Sequence, residues 1–566
     1  MYNKYIILGI VFILIAVNAS SSLSLKICKD NSAENIHYSE NLDVCIGEIK
    51  DGRGLIVEIC NNGDVDVENI QLYIEVESGK RVFIPKKTYE ISFLAAGDST
   101  EVFINIFGFN LGRLFGYPMI TFTVSSPVIK LTWKKITTSV FGSHTNILEE
   151  YSINDEPFEG YTLFAPMWHT KTYLINNKGD VVYTWNSVYT DSQAAYLLEN
   201  GNLIRTSWVA TSSIFSGGAQ GRIEMFDTKG NKIWNYEYSS DQFNQHHDVE
   251  ILPNGNILLI AWELKTKAEA VDAGKNPNRL NGNEFWPDHI IEVEPIGDSG
   301  ANIVWEWHVW DHLIQDYDPG KANYGDVSAH PELIDINFGG NRADWNHINS
   351  VDYNEEFDQI LLSVHQFNEI WIIDHSTSTE EAAGHTGGRY GKGGDLLYRW
   401  GNPQAYKQGT ENDKKYYGQH DAQWVEEGCP GEGNILVFNN GAGRPGGRYS
   451  SVDEIIPPVD ENGFYRYIPG NTFGPKNQVW IYTMPNPSDM YSNTCSSSQR
   501  LPNGNTLICS ASQGMFLEVN NEKKIVWRYD NPYPLLSIQK SVTEALRYPT
   551  DYPGIPEVKS KSINKR

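Results

Sequence analysis

Gln245-His246-His247-Asp248-Val249-Glu250-Ile251-Leu252-Pro253-Asn254-Gly255-Asn256-Ile257-Leu258 packs four signals into one stretch: a histidine pair, an alternating apolar run, an Asn-Gly turn and a second apolar run. Alternation at period two marks a half-buried strand. Asn-Gly between two such runs marks a hairpin, because a type I′ turn needs φ above zero at both central residues. The hairpin signal returns at Tyr196-Leu-Leu-Glu-Asn-Gly-Asn-Leu-Ile204 and at Gln499-Arg-Leu-Pro-Asn-Gly-Asn-Thr-Leu507. The histidine ahead of an apolar run returns at Tyr417-Gly418-Gln419-His420-Asp421-Ala422-Gln423-Trp424, which leads to Gly433-Asn434-Ile435-Leu436. A looser copy is Asp344-Trp345-Asn346-His347-Ile348-Asn349-Ser350-Val351.

A second motif alternates with the first: a turn, then a strand of the pattern V-x-W/Y. Its six copies are Asn177–Trp185, Thr228–Tyr236, Ile303–Trp307, Leu396–Trp400, Gln478–Tyr482 and Asn521–Tyr529. Repeats of roughly 40–60 residues, each with about four strands, indicate a β-propeller. Six copies imply six blades. The first copy lacks a leading strand, and the chain around Ser541–Ala545 is the expected donor, closing the ring across the termini.

The chain ahead of the repeat reads differently. Between 25 and 148, short runs such as Leu55–Cys60, Ile70–Val76 and Ser99–Ile106 alternate between turns, as in an immunoglobulin-like β-sandwich. The expected class is therefore all-β, with the sandwich at 25–148, the propeller at 149–556 and a basic tail at 557–566. Residues 1–24 carry Lys4, an apolar run from Tyr5 to Val17 and the small residues after Asn18, the plan of a signal peptide or an N-terminal anchor. Extracytoplasmic work is expected, with membrane contact only through an uncleaved segment.

A net charge of −26 argues against nucleic-acid partners and means that an anionic substrate needs local donors. The 12% aromatic content, with 16 Trp and 31 Tyr, fits β structure. The six cysteines include no CxxC, so structural disulfides are the expected use, not zinc binding or nucleophilic chemistry.

In a propeller the residue just before each blade's first strand points at the axis. Here those residues are Gln193, His247, His347, His420 and Ser496, with Asn349 on the same strand face as His347. Adjacent strand residues face opposite ways, so His247 and not His246 is expected at the axis. Three imidazoles could hold an open zinc or copper site. Alternatively, a neutral imidazole could act as nucleophile with its neighbours binding an anion. A non-enzymatic exported propeller that binds a glycan or protein through its rim is the third reading.

The region from Tyr161 to Pro556 resembles the arylsulfate sulfotransferases, through His246–Asn256, Asp344–Ser350, Gln419–Trp424 and Ser498–Asn505. The resemblance implies an exported enzyme with no cofactor, a small-molecule aryl sulfate donor and a phenol acceptor; a homodimer is left open. It implies ping-pong transfer through an N-sulfohistidine, with His420 as nucleophile and His347, His247 and Asn349 as its catalytic partners. His246, His365, Gln419 and Arg500 are the expected substrate-binding residues. In bacterial members an arginine precedes a His-Gln-like pair, whereas Val364 stands before His365-Gln366 here. A replacement donor is sought in His365, Arg500, Arg444 or Arg448, the last two also reading as solvated loop residues.

Overall fold

The computed structural model describes residues 44–51, 55–61, 66–76, 82–83, 88–104, 107–108, 119–125, 131–137, 146–153, 157–190, 192–534 and 540–556. The export segment expected within residues 1–24 and the basic tail at 557–566 lie outside the described residues.

Six four-stranded antiparallel sheets follow one another from Gly160 to Pro549. The second to sixth blades run from the axis outward, and each begins on an inner strand: Ala195–Leu197, Phe243–Ile251, Ile348–Asn354, His420–Trp424 and Ser497–Arg500. The first blade takes its inner strand from the C-terminal end, where Val542–Pro549 pairs with Gly160–Pro166. The ring is thus closed by strand exchange between the two ends of the repeat, as its missing first strand required. The V-x-W/Y motifs form the outermost strands, Val181–Asn186 and its equivalents. Their indoles turn inward: Trp185 and Trp307 are fully buried. Each such burial is worth about 1.5–3 kcal/mol.

Carboxylates on the inner strands fasten each blade to the next. Asp248 accepts from the Val351 amide (3.1 Å), Asp352 from Trp424 (2.6 Å) and Asp421 from Ser498 (2.7 Å). Further out, the buried Arg547–Glu518 pair joins the first blade to the sixth, and the buried Arg399–Glu369 pair ties two strands within the fourth. Cys429 and Cys509 are buried thiols that donate to the Arg500 and Val542 carbonyls, so the disulfides expected from the cysteine count do not involve them.

Ahead of the propeller stand a three-stranded and a five-stranded antiparallel sheet. Ile46, Val57 and Ile59 of the first share one apolar cluster with Val67, Ile70, Leu72 and Ile74 of the second. This is the two-sheet sandwich expected from the alternation.

Candidate active site

The inner strands are irregular where they begin. Pairing slips between Gln245 and Val249, between Ile348 and Ser350, and between His420 and Ala422. At these bulges His247, His347 and Asp421 take left-handed φ values of 53°, 55° and 53°. Such a conformation costs a non-glycine residue of order 1–3 kcal/mol and re-aims the side chain. Repeated at three blades, it delivers imidazoles to the axis.

Five histidines meet there. Ring centroids lie 4.7 Å apart for His247 and His347, 5.4 Å for His347 and His365, 5.2 Å for His365 and His420, and 6.4 Å for His247 and His420. His246 sits behind His247, stacked on Trp262 with centroids 3.8 Å apart. Gly218 roofs the cluster: a Cβ there would come within 2.0 Å of the His247 ring. A chamber of about 30 Å³ is lined by Gln193, His247, Asn349, His420, Ser496 and Thr543, among others. It adjoins a wider cavity of about 260 Å³ lined by Asp248, Glu250, Asp352, Asp421, Glu426 and Glu544.

Hydrogen bonds assign the protons. Asn440 donates through Nδ2 to the Ser492 and Cys495 carbonyls (2.9 and 2.8 Å), which turns its Oδ1 toward His420. His420 Nδ1 lies 2.9 Å from that oxygen and 3.2 Å from the Gly418 carbonyl. Both can only accept, so the proton sits on Nδ1 and Nε2 keeps its lone pair. Burial, opposed by the Asn440 bond, lowers the His420 pKa to about 4. The ring is neutral at pH 7.

His347 is the opposite case. Its Nδ1 lies 2.8 Å from Asp344, which also accepts from Ser216 and from Trp262. Burial works against a charged ring, but the Asp344 carboxylate outweighs it and raises the His347 pKa. Burial opposes ionisation of Asp344 too, yet His347 brings its pKa down to about 2. The pairing favours an imidazolium facing a carboxylate.

His246 Nε2 lies 3.0 Å from Asp288, and its Nδ1 lies 2.9 Å from His247 Nδ1. Burial raises the Asp288 pKa well above the usual carboxylate range, against the bond donated by the Ile348 amide. Two polar atoms at the cluster have no partner among the described residues: His365 Nδ1 and Asn349 Oδ1. Burial first, then the neighbouring rings of His420 and His347, depresses the His365 pKa well below 6.5.

Not every expected residue joins this group. Gln419 turns its side chain to the Glu369 carbonyl (2.8 Å), and only its own carbonyl reaches the site, accepting from Asn349 (2.9 Å). Arg500 pairs with Glu454 at 2.5 Å and lies over Trp480. Arg444 reaches Ser451 and packs on Tyr449, and Arg448 is exposed. Val364 is buried in the apolar core. Among the described residues, no Lys or Arg lines the chamber. Asn440 and Asp288 were not anticipated. Asp344 was quoted only as part of a motif, without a role.

Oriented imidazoles gathered at the axial mouth beside a small polar chamber suit group transfer or acid–base chemistry. The arylsulfotransferase (ASST) family profile matches residues 151–552, and the chain belongs to that family. It is thus a sulfotransferase, of a family that acts on small-molecule aryl sulfate donors and phenol acceptors. No curated protein sequence matches. Solved structures that align include a Bacteroides caccae protein of unknown function, with 12% identity over 69% of this chain and 99% of that one (TM-score 0.38). A streptogramin B lyase aligns with 11% identity over 66% and 79% (TM-score 0.32). Kuenenia stuttgartiensis hydrazine synthase aligns with 12% identity over 76% and 100% (TM-score 0.31). Likeness at these scores carries no argument about function.

Proposed function

We propose that the chain transfers a sulfuryl group from an aryl sulfate to a phenol in two steps through His420. Nε2 attacks sulfur, the N–S bond forms and the S–O(aryl) bond breaks. The leaving phenolate takes the bond's electron pair and a proton from the His347 imidazolium. In the second step the acceptor phenol returns a proton to His347, its oxygen attacks sulfur, and Nε2 leaves with the N–S pair. Atoms, charge and protons balance over the cycle.

The observation that carries this reading is the tautomer of His420: Asn440 and Gly418 hold the proton on Nδ1, so the nucleophilic lone pair is ready before substrate arrives. Charge on the moving group falls on its oxygens, as in phosphoryl transfer, and fixed donors stabilise it. The His347 imidazolium supplies the cation that Val364 does not, and His365 Nδ1 and the Asn349 amide supply neutral donors. Asp248, Asp421 and Glu544 border both the chamber and the wider cavity, and burial raises their pKa values, which lessens their repulsion of an anion. The N-terminal apolar run supports export as part of the same reading.

Initial rates with an aryl sulfate donor and varied phenol acceptor test it. Parallel double-reciprocal lines are expected, with turnover lost in His420→Ala. Intersecting lines, or an active His420→Ala, would overturn it.

A further inference from the structure

Outside the axial site, a set of two histidines and a carboxylate with metal-ligand spacing converges among the described residues. His312 closes the single-turn helix Val309–His312 and is fully buried, stacked on Trp307 with ring planes 9° apart. His385 and Asp395 come from the glycine-rich segment 384–395, in which Gly387, Gly388, Gly391 and Gly393 all hold positive φ. His312 Nδ1, His385 Nδ1 and an Asp395 oxygen lie within 4.8 Å of one another.

The hydrogen bonds of this set can be satisfied in two ways, one of them a bound ion. His312 Nε2 is 2.8 Å from the Ala382 carbonyl, which can only accept, so Nε2 carries the hydrogen. In the neutral ring Nδ1 is then a bare lone pair. It faces Asp395 Oδ1, a second acceptor, at 2.9 Å, and His385 Nδ1 faces the same oxygen at 2.8 Å. Protons alone close both contacts only with a charged His312 ring, which donates to Asp395 while His385 donates to the same oxygen. A metal ion satisfies all three atoms together.

We propose that His312, His385 and Asp395 form a binding site for a divalent transition metal of the zinc class, separate from the histidine chamber and independent of the reaction assigned to it. Two imidazoles and a carboxylate suit zinc and its neighbours, whereas calcium and magnesium favour all-oxygen sets. The Nε2–H bond to a backbone carbonyl is the usual support of a ligating histidine, fixing its tautomer and ring plane. Tetrahedral ligands sit about 3.3 Å apart at ordinary zinc bond lengths, so the present contacts must open slightly. The half-exposed His385 on its glycine-rich loop can supply that movement. Solvent fills the fourth position. The ion would clasp the 309–312 turn to the 384–395 loop.

Full-length, chelator-treated protein is titrated with Co²⁺ as a spectroscopic probe and with Zn²⁺ in a thermal-unfolding assay. One equivalent of tightly bound Co²⁺ is expected, with a rise in Tm on Zn²⁺ addition. His385→Ala, at a half-exposed position, should weaken Co²⁺ binding at least tenfold and abolish the Tm rise, and Asp395→Asn should do the same. His420→Ala should bind Co²⁺ like the wild type. No Co²⁺ spectrum, binding unchanged in His385→Ala, or binding lost only in His420→Ala would overturn the proposal.

Discussion

Asn440 Oδ1 lies 2.9 Å from His420 Nδ1, and the same amide is pinned from its other end by the Ser492 and Cys495 carbonyls. A loop residue twenty positions downstream thereby decides which nitrogen of His420 faces substrate. Removing the amide in Asn440→Ala lets the ring adopt the other tautomer. A lost hydrogen bond of about 1–3 kcal/mol corresponds to a fall in kcat of roughly five- to a hundredfold. Asn440→Asp places a carboxylate against Nδ1 and raises the His420 pKa from about 4, moving the acid limb of the kcat profile to higher pH. Profiles of the two variants check both effects.

Asp344 is expected to act through His347. The carboxylate raises the His347 pKa, so the imidazolium is present at low pH and is lost as pH rises through that value. Asp344→Asn therefore shifts the basic limb of kcat to lower pH. The loss should be largest for donors with poorly acidic phenols, which need the proton most. A panel of substituted phenyl sulfates measures this: a steeper dependence on leaving-group pKa is the expected outcome, and an unchanged slope would count against proton donation by His347.

The candidate arginines belong to the scaffold, and the site is built from imidazoles and amides. His365→Phe removes an imidazole packed between His347 and His420 and should raise the donor KM. Arg500 lies outside the chamber, paired with Glu454. Arg500→Ala leaves a buried carboxylate alone, which costs about 3–5 kcal/mol, and should lower the midpoint of denaturation with kcat per folded molecule unchanged.

The stability of the fold should peak in mildly acidic solution. His375 is held between Asp358 and Glu292, which overcome burial and raise its pKa to about 9. A raised histidine contributes stability that is complete below its unfolded value of 6.5 and lost as pH rises through about 9. Asp352 is raised by burial to about 7, so the native state binds its proton more tightly and loses stability as pH climbs from 3.8 through about 7. Burial holds the His420 pKa down at about 4, which acts the other way, costing stability as pH falls below 6.5. Asp352→Asn, which can still accept from Trp424, should raise Tm at pH 8 and leave it unchanged at pH 4.

The blade count, the ring closure near Ser541–Ala545 and the axial positions of His247, His347 and His420 were legible because they follow from repeat register. Period-two alternation and Asn-Gly turns are local signals, and a propeller converts them into global geometry. His246 was correctly separated from His247 by strand parity, yet parity alone misses the bulge at His247, whose φ of 53° lets both rings join one hydrogen-bonded chain. Asn440 was illegible because its role depends on a loop folding back from the second strand of the fifth blade. Charge alone singles out Arg444, Arg448 and Arg500, none of which lines the chamber, and proximity in sequence singles out His365. Sequence carries no sign that an Asp three residues away makes His347 the cation.

In the proposed reaction His420 carries the sulfuryl group between donor and acceptor. The most direct measurement is the mass of the enzyme quenched after mixing with an aryl sulfate and no acceptor, followed by peptide mapping at neutral or alkaline pH. The account predicts a gain of one SO₃ on the peptide containing His420, removed by added phenol and absent in His420→Ala. An active enzyme that never gains the mass, or gains it on another residue, would contradict it.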